Sequence, residues 1–412
     1  LHGSSAASDV YKRQSLTWKQ RTSAVLGNAM EFYDIAVFAS ISMYISQLFA
    51  TQGIAHSELV VWGVFALRFL IRPFGGVVIG RYADKYGRKR ALVFCNLLTG
   101  LATVAMAFVP VDTVGQYVVV VFLFFQMIQA FSFGGEYPTL INYLLYDAKK
   151  SERSRVSSLI VASSIVGVII SLLIVAGLEH YLTAEEMSAW GWRVPLLVGV
   201  ANIIVSLYLR LSLPELPKAE AVASKSSRQI IAKVFCISIL GAVVFYVQNL
   251  ASGILGKAMN IENLALINSS VLVVLLFAFS FIVDKRSSPQ QAFKVGALFM
   301  LFAAVPLFAL LGSSEFIWQA LAVLGISTLA AIILGNLAAL LWQQSANQTT
   351  SLGIGYNIAL SIFGGLTPLI VTEAMLLSSA YVGVYVAIAT LPGLAVLYRF
   401  TATVHQEPVQ SS

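Results

Sequence analysis

The chain has 412 residues, of which 58% are hydrophobic and 11% charged, and its mean hydropathy is +0.82. Soluble domains carry roughly 25% charged residues, so this composition excludes a water-soluble protein and leaves no room for a large soluble catalytic domain. The net charge of +7 is better explained by the Lys and Arg that orient a membrane protein than by nucleic-acid binding. Nucleic acid is therefore not an expected partner, whereas the lipid bilayer is.

The chain begins with a segment unlike the rest. LHGSSAASDVYKRQ is polar and rich in small residues, and we expect 1–14 to be a non-native leader. The apolar run after Arg21 is too long for the core of a signal peptide, and no A-x-A-like site ends it. It predicts a permanent membrane span.

Apolar stretches interrupted by Gly, Pro and charged residues predict an all-α membrane protein with twelve transmembrane helices, each of about 20 residues or more. The predicted spans are 22–48, 57–80, 89–109, 114–146, 156–180, 191–211, 231–256, 262–283, 292–311, 316–342, 351–374 and 379–400. The fourth is longer than a crossing needs and is expected to extend into water. The predicted parts are a six-helix half at 15–211, a cytoplasmic linker at 212–230, a second six-helix half at 231–400 and a short cytoplasmic tail at 401–412.

Positive charge predicts the orientation. When alternate loops are assigned to opposite sides, all of the 26 Lys and Arg except Arg68, Arg72, Arg193 and Lys257 fall on one side. Because cytoplasmic loops carry the excess of Lys and Arg, both termini are expected in the cytoplasm. The expected location is the plasma membrane, as in a bacterial inner membrane.

A repeat relates the two halves. A shift of 200 positions carries Asp84-Lys85, at the end of the second span, onto Asp284-Lys285, at the end of the eighth. Paired six-helix halves are typical of secondary transporters, whose binding site lies near the bilayer midplane between the repeats.

The loop GRYADKYGRKRAL at 80–92 is the most specific short motif. Its glycines permit a tight turn, its aspartate can face a helix N-terminus or an arginine, and its basic residues hold it at the anionic inner surface. The predicted gating residues are Gly80, Asp84, Gly87, Arg88, Lys89 and, in the second half, Asp284. The alternative is a loop that only orients the chain.

Three carboxylates within the spans are candidates for proton coupling. Glu31 and Asp34 share one side of the first span, and Glu136 ends a polar stripe on the fourth. A charge at mid-bilayer costs at least about 2.5 kcal/mol, so such groups face a cavity or a partner. The alternatives are ion pairs of Glu31 or Asp34 with Arg72 or Arg68, and a packing ion pair for Glu136.

Arg68 and Arg72 lie one turn apart on one face of the second span. An unmatched cation in a cavity favours a substrate that carries a carboxylate, through charge-assisted hydrogen bonds. Alternatively, Arg68 pairs with an acidic residue, and the neutral polar residues join helices together. The candidate substrate contacts are Arg68, Arg72, Tyr33, Gln129, Tyr246, Asn249, Tyr356 and Asn357.

No cofactor or metal is expected. Cys95 and Cys236 lie inside apolar runs and form no ligand spacing, the four histidines lie in tails or loops, and the phosphate-binding loop of ATPases is missing. A proton gradient is the expected energy source.

Several stretches resemble the metabolite:proton symporter branch of the major facilitator superfamily, which includes osmolyte, dicarboxylate, citrate and shikimate carriers. The similar pieces are GNAMEFYD at 27–34, RPFGGVVIGRYADKYGRKRAL at 72–92, FGGEY at 133–137, WGWRVPLLVG at 190–199, YLRLSLPELP at 208–217, GALFMLFAAVPLFALL at 296–311 and GYNIALSIFGGLTPLI at 355–370. The resemblance implies the major facilitator fold, a monomer and alternating access of the two halves. This chain departs from the family pattern at Arg68, where the family usually has a small residue.

These observations predict a secondary active transporter, not an enzyme. The expected activity is proton-coupled symport of a small organic acid or a zwitterionic metabolite by alternating access. One alternative is an osmolyte carrier of the proline or betaine type, and another is a transporter-like sensor that binds its ligand without moving it.

Overall fold

The computed structural model describes residues 16–216, 227–249, 251–261 and 263–404. Within these ranges the chain consists of helices and short turns, with no strand. The helices are α1 Trp18–Ser40, α2 Ser42–Thr51, α3 Ser57–Tyr86, α4 Arg88–Ala107, α5 Val111–Val114, α6 Val118–Leu145, α7 Arg153–Tyr181, α8 Ala184–Glu186, α9 Arg193–Leu211, α10 Ser227–Asn249, α11 Ser252–Met259, α12 Leu264–Arg286, α13 Pro289–Leu311, α14 Phe316–Ser345, α15 Thr349–Ala359, α16 Gly365–Leu377 and α17 Ser379–Val404. Short 3-10 turns lie at Gly115–Tyr117 and Lys150–Glu152, and π-helical turns at Met187–Gly191 and Leu360–Gly364.

The predicted fold class, an all-α protein with twelve transmembrane helices, is confirmed. Eleven helical segments of the described chain are long and apolar enough to cross a membrane, and the pair α1–α2, bent by 52°, provides the twelfth. Large apolar side chains cover the outside of the bundle, as shown by Leu70 and Phe302, which are 70% and 73% exposed. In a bilayer these side chains face lipid.

Several predicted spans differ from the observed helices. The first, predicted at 22–48, divides into α1 and α2, and the eleventh, predicted at 351–374, divides into α15 and α16. The fourth, predicted at 114–146, is the shorter helix α6, because Gly115 has a φ of 58° and separates α6 from α5. The seventh, predicted at 231–256, divides into α10 and α11. Three predicted segments lie wholly or partly outside the described residues: the leader at 1–14, residues 217–226 of the linker and residues 405–412 of the tail.

The helices form two groups that follow chain order. We call α1–α9 the first half and α10–α17 the second half. In the first half α1 packs on α7 and α9, and α3 on α6; in the second half α13 packs on α14 and α17, and α10 on α15 and α17. The halves meet where α3 packs on α15 and where α7 packs on α12 and α14.

Glycines allow α3 and α15 to approach closely. A Cβ atom on Gly76 would lie 2.9 Å from the carbonyl oxygen of Gly353, and one on Gly80 would lie 2.8 Å from the Cα atom of Thr350. These distances are too short for real Cβ atoms, so the observed contact requires glycine at both positions.

Candidate functional site

A narrow cavity lies between the two halves. Its walls come from α1, α6 and α7 of the first half and from α10, α14 and α15 of the second. The lining residues are Phe32, Tyr137, Val161, Ser164, Gly241, Ala242, Phe245, Tyr246, Leu334, Leu337, Tyr356 and Leu360. A site between repeats is where a secondary transporter binds its substrate, and we call this the central cavity.

Aromatic side chains from both halves line the central cavity. Tyr137 stacks on Tyr356 with ring centroids 5.0 Å apart, and Phe32 meets Phe245 edge-on at 5.5 Å. Phe245 in turn contacts Tyr246 at 5.7 Å. The faces of such rings carry partial negative charge and attract cations, quaternary ammonium groups among them.

Arg72 of α3 lies at the edge of these aromatic residues and is only 3% exposed. Its Nη1 donates a hydrogen bond of 3.3 Å to the hydroxyl of Tyr246, in the other half. Its guanidinium lies 3.9 Å from the ring centroid of Phe133 and 5.2 Å from that of Phe69. Nε and Nη2 are buried and have no hydrogen-bond partner in the described part of the chain. Buried donors are rarely left unsatisfied, so Arg72 is suited to binding a carboxylate of a ligand.

Arg68 has a different environment from Arg72. Its Nη1 donates a 2.7 Å hydrogen bond to Oε1 of Gln126, and it lines a separate small pocket instead of the central cavity. Among the described residues it forms no ion pair within 4.0 Å with Glu31, Asp34 or Glu136.

Glu31 and Asp34 face the same small pocket, inside the first half. We call it the acid pocket; its lining residues are Glu31, Asp34, Ile35, Arg68, Thr99, Gln129 and Phe133. Oδ2 of Asp34 accepts a 2.9 Å hydrogen bond from the hydroxyl of Thr103, while Oδ1 has no partner among the described residues. Both oxygens of Glu31 are buried and likewise accept no well-aligned hydrogen bond. Ionisable groups in such a position within a membrane span are functional-site candidates.

Phe133 separates the acid pocket from the central cavity. Its ring lines the acid pocket and also contacts Phe32 at 5.0 Å and Tyr137 at 6.3 Å, both of which line the central cavity. Because Arg72 lies on this ring, one aromatic side chain and one guanidinium stand between the two sites.

Glu136, the third predicted proton-coupling residue, forms a buried ion pair with Arg210 of α9. Nη1 of Arg210 also donates to the carbonyl oxygen of Leu92 at 2.8 Å. This geometry favours the packing ion pair that the sequence left open for Glu136. Arg210, which the sequence places among the Lys and Arg of the cytoplasmic side, is 1% exposed inside the first half.

Four predicted substrate contacts make hydrogen bonds to their own or neighbouring helices instead of lining the central cavity. The bonds are Tyr33 Oη to Pro195 O (2.8 Å), Gln129 Nε2 to Thr103 Oγ1 (2.8 Å), Asn249 Nδ2 to Phe245 O (2.9 Å) and Asn357 Nδ2 to Gly134 O (2.6 Å). Tyr246 and Tyr356 do line the cavity, but the sequence reasoning missed Phe32, Tyr137 and Phe245. Phe32 and Tyr137 directly follow Glu31 and Glu136 in the chain, which is the only signal that marks them.

Asp84 of the predicted gating loop joins the halves. Its Oδ1 accepts a 3.0 Å hydrogen bond from the backbone N–H of Thr349, and its Oδ2 accepts bonds from the N–H (3.0 Å) and hydroxyl (2.7 Å) of Thr350. These residues begin α15, so the carboxylate caps the positive end of that helix. Gly87, with a φ of 106°, ends α3, and Arg88 Nη1 donates to the carbonyl oxygen of Asn142 at 3.0 Å.

Asp284 makes the corresponding contact from the second half. Oδ1 accepts from the N–H of Ser154 at 2.8 Å, and Oδ2 accepts from the N–H and Nε of Arg155 at 3.1 and 2.9 Å. Each aspartate therefore caps a helix of the opposite half. The end of the bundle that holds Asp84, Asp284 and Arg88 is called the basic end, and there the two halves are in contact.

The first half of the chain matches a known family of transporters. Residues 21–218 match the family "Sugar (and other) transporter". The proton:xylose symporter of the major facilitator superfamily, solved with 6-bromo-6-deoxy-D-glucose, has a TM-score of 0.77, covers 94% of this chain and 95% of its own, and is 16% identical. At that identity the likeness shows the fold alone.

A relative similar along most of the chain decides the family. A putative proline/betaine transporter of Staphylococcus aureus (strain COL) is 30% identical over 374 residues, which cover 84% of this chain and 80% of that protein. The chain belongs to the major facilitator superfamily. As the resemblance implied, other relatives of this major facilitator protein are metabolite carriers, such as the alpha-ketoglutarate permease of Escherichia coli (strain K12), 27% identical over 82% of this chain and 83% of that protein.

The ectoine/proline transporter of Corynebacterium glutamicum is also 27% identical, over 94% of this chain and 84% of that protein. These relatives confirm the predicted family and its metabolite:proton symporter branch. This major facilitator protein is thus a multi-pass membrane transporter of small molecules, and the superfamily consists of transporters rather than enzymes.

Proposed function

We propose that this transporter carries a zwitterionic osmolyte of the betaine or proline type together with a proton, by alternating access of its two halves. The observation that carries the proposal is an aromatic cavity with one buried guanidinium at its edge, that of Arg72, which has two unused donors. The substrate carboxylate binds these donors through charge-assisted hydrogen bonds. Its ammonium group lies against the rings of Tyr137, Tyr246 and Tyr356. The names of the staphylococcal and corynebacterial relatives support this substrate class.

A small organic acid is the second candidate. The alpha-ketoglutarate permease among the relatives supports it, and so does the presence of Arg68 one turn from Arg72. A dicarboxylate would need a second cation in the central cavity, however, and Arg68 is held by Gln126 beside the acid pocket. The aromatic lining therefore favours the zwitterion.

We assign proton coupling to the acid pocket. Glu31 and Asp34 are the proton-coupling residues, because they are buried carboxyl groups with unused oxygens next to the central cavity. Glu136 stabilises the first half through Arg210, and Tyr33, Gln129, Asn249 and Asn357 position helices. The proton gradient supplies the energy, with no cofactor.

The basic end is proposed to face the cytoplasm, since it carries the excess of positive charge. Both termini then lie in the cytoplasm, and opening of the contacts at Asp84 and Asp284 releases the substrate inward. The transporter acts as a monomer in the plasma membrane, because the central cavity is formed within one chain.

Uptake into proteoliposomes under an imposed proton gradient tests the proposal. Radiolabelled glycine betaine and proline are expected to accumulate when the outside is acidic, and to stop accumulating when a protonophore removes the gradient. Accumulation of alpha-ketoglutarate alone would contradict the osmolyte assignment and favour the second candidate. Binding of betaine without any uptake would instead place the protein with non-transporting sensors.

A further inference from the structure

The guanidinium of Arg72 touches the boundary of both sites and lacks a full set of partners. On one side it donates to Tyr246 of the central cavity; on the other it lies 3.9 Å from the ring of Phe133, which lines the acid pocket. Glu31 lines the same pocket as Phe133, so the positive charge of Arg72 acts on its carboxyl group across that ring. A change in the partners of Arg72 therefore affects both the central cavity and the acid pocket.

We propose that Arg72 links substrate binding to proton uptake: the substrate carboxylate binds the Arg72 guanidinium and compensates its charge, and Glu31 then takes up a proton from the extracellular side. This inference rests on the proposed function. The step is a simple proton transfer, in which the carboxylate of Glu31 becomes a carboxylic acid and water on the extracellular side supplies the proton. Release of that proton on the inner side completes the cycle.

The other charged and polar groups around Glu31 are less suited to this linkage. They are Asp34 on α1, Arg68 on α3, Cys95 and Thr99 on α4, Glu136 on α6 and Arg210 on α9. The charge of Arg210 is compensated by Glu136, and Arg68 is anchored by Gln126. Arg72, with Nε and Nη2 unused, is the cation near Glu31 whose partner changes when a ligand enters the central cavity.

The contact between Arg72 and Tyr246 adds a conformational element. Arg72 belongs to the first half and Tyr246 to the second, so their hydrogen bond crosses the interface that must rearrange during transport. A carboxylate bound to Arg72 competes for the same guanidinium. Substrate binding and the relative position of the halves are thereby coupled at one residue.

Substrate binding and protonation are coupled reciprocally by thermodynamic linkage. If substrate binding promotes protonation of Glu31, the proton must promote substrate binding by the same factor. A ligand that fills the aromatic cavity without a carboxylate should leave the proton unaffected. Choline is such a ligand, because it has the trimethylammonium group of betaine but a neutral hydroxyl in place of the carboxylate.

Isothermal titration calorimetry on the purified full-length protein tests the linkage. Betaine and choline are titrated in pairs of buffers with different ionisation enthalpies, which reports the protons taken up per ligand bound, between about pH 6 and pH 9. The expected result is uptake approaching one proton for betaine and none for choline. Glu31→Gln should bind betaine with no proton uptake.

Arg72→Gln provides the second variant. It should retain choline binding and weaken betaine binding roughly ten- to a hundred-fold, the range expected for lost hydrogen bonds to a charged group. Equal proton uptake with betaine and choline, or unchanged uptake in Glu31→Gln, would overturn the linkage while leaving the osmolyte site intact. If neither ligand binds the wild type, the proposed function itself is wrong and the linkage is refuted with it.

Discussion

Removing the carboxylate of Asp84 should shift the transporter toward the state that is open at the basic end. In the structure Asp84 accepts three hydrogen bonds from Thr349 and Thr350, at the N-terminus of α15. A helix cap contributes about 0.5–2 kcal/mol, and a carboxylate at a helix N-terminus about 0.3–1 kcal/mol. With water replacing part of this when the halves separate, the contact favours the closed end by about 2 kcal/mol. Asp84→Ala should therefore raise the ratio of open to closed molecules roughly thirty-fold, and Asp84→Asn by less, because the amide keeps one acceptor oxygen.

Distance measurements by electron paramagnetic resonance can follow this change. Spin labels at Arg90 in the first half and Arg286 in the second half, both exposed near the basic end, report the separation of the halves. Cys95 and Cys236 are replaced beforehand so that only the two labels react. The expected result is a longer distance whose population grows from wild type to Asp84→Asn to Asp84→Ala.

Asp112→Asn is the matched control, because Asp112 is an exposed carboxylate beyond the opposite end of α4 and should leave the distances unchanged. If Asp84→Ala gives the wild-type distance distribution, the cap on α15 does not stabilise the closed end, and the reasoning from its hydrogen bonds is wrong.

Three further predictions concern packing, stability and binding. Gly80→Ala should also separate the halves at the basic end and reduce uptake, because its Cβ would lie 2.8 Å from a backbone atom of α15. The control in the same distance and uptake assays is Gly63→Ala, on the same helix, where a Cβ would meet open space. Arg210→Met should lower the free energy of unfolding by about 3–5 kcal/mol, because it leaves the Glu136 carboxylate buried without its partner. Adding Glu136→Gln should recover much of the loss. Thermal unfolding in detergent checks both, and equal unfolding temperatures for the wild type and Arg210→Met would contradict a stabilising ion pair. Tyr137→Leu should weaken betaine binding by about 0.5–2 kcal/mol, the range for a cation on an aromatic face, whereas Tyr137→Phe keeps the ring; calorimetry that finds both variants alike would argue against ring contact.

The sequence predicted the membrane spans well, because the length of an apolar run is set directly by the thickness of the bilayer. Predicted span 57–80 corresponds to α3 at Ser57–Tyr86, and 316–342 to α14 at Phe316–Ser345. The internal repeat also pointed correctly to Asp84 and Asp284 as a related pair. Which helix each would cap was not predictable, because that depends on how the two halves meet.

The direction of side chains within the spans was much harder to predict. In a soluble helix the apolar stripe marks the buried face, but lipid is as apolar as a packed core, so that signal is missing. Arg68 and Arg72 looked alike in the sequence, yet one is held by Gln126 and the other reaches Tyr246 of the opposite half. Aromatic residues such as Phe245 fit a core, a lipid surface or a ligand site equally well, and only tertiary packing brings them to the central cavity.

Substrate-driven proton movement distinguishes proton-coupled symport from uncoupled transport. Proteoliposomes containing the protein and a pH-sensitive dye are mixed with glycine betaine outside, with no proton gradient imposed and with a potassium ionophore to prevent a membrane potential. We expect acidification of the interior as betaine enters, loss of this acidification in Glu31→Gln, and no acidification with choline. Betaine entry through the wild-type protein with no change of internal pH would contradict proton-coupled symport.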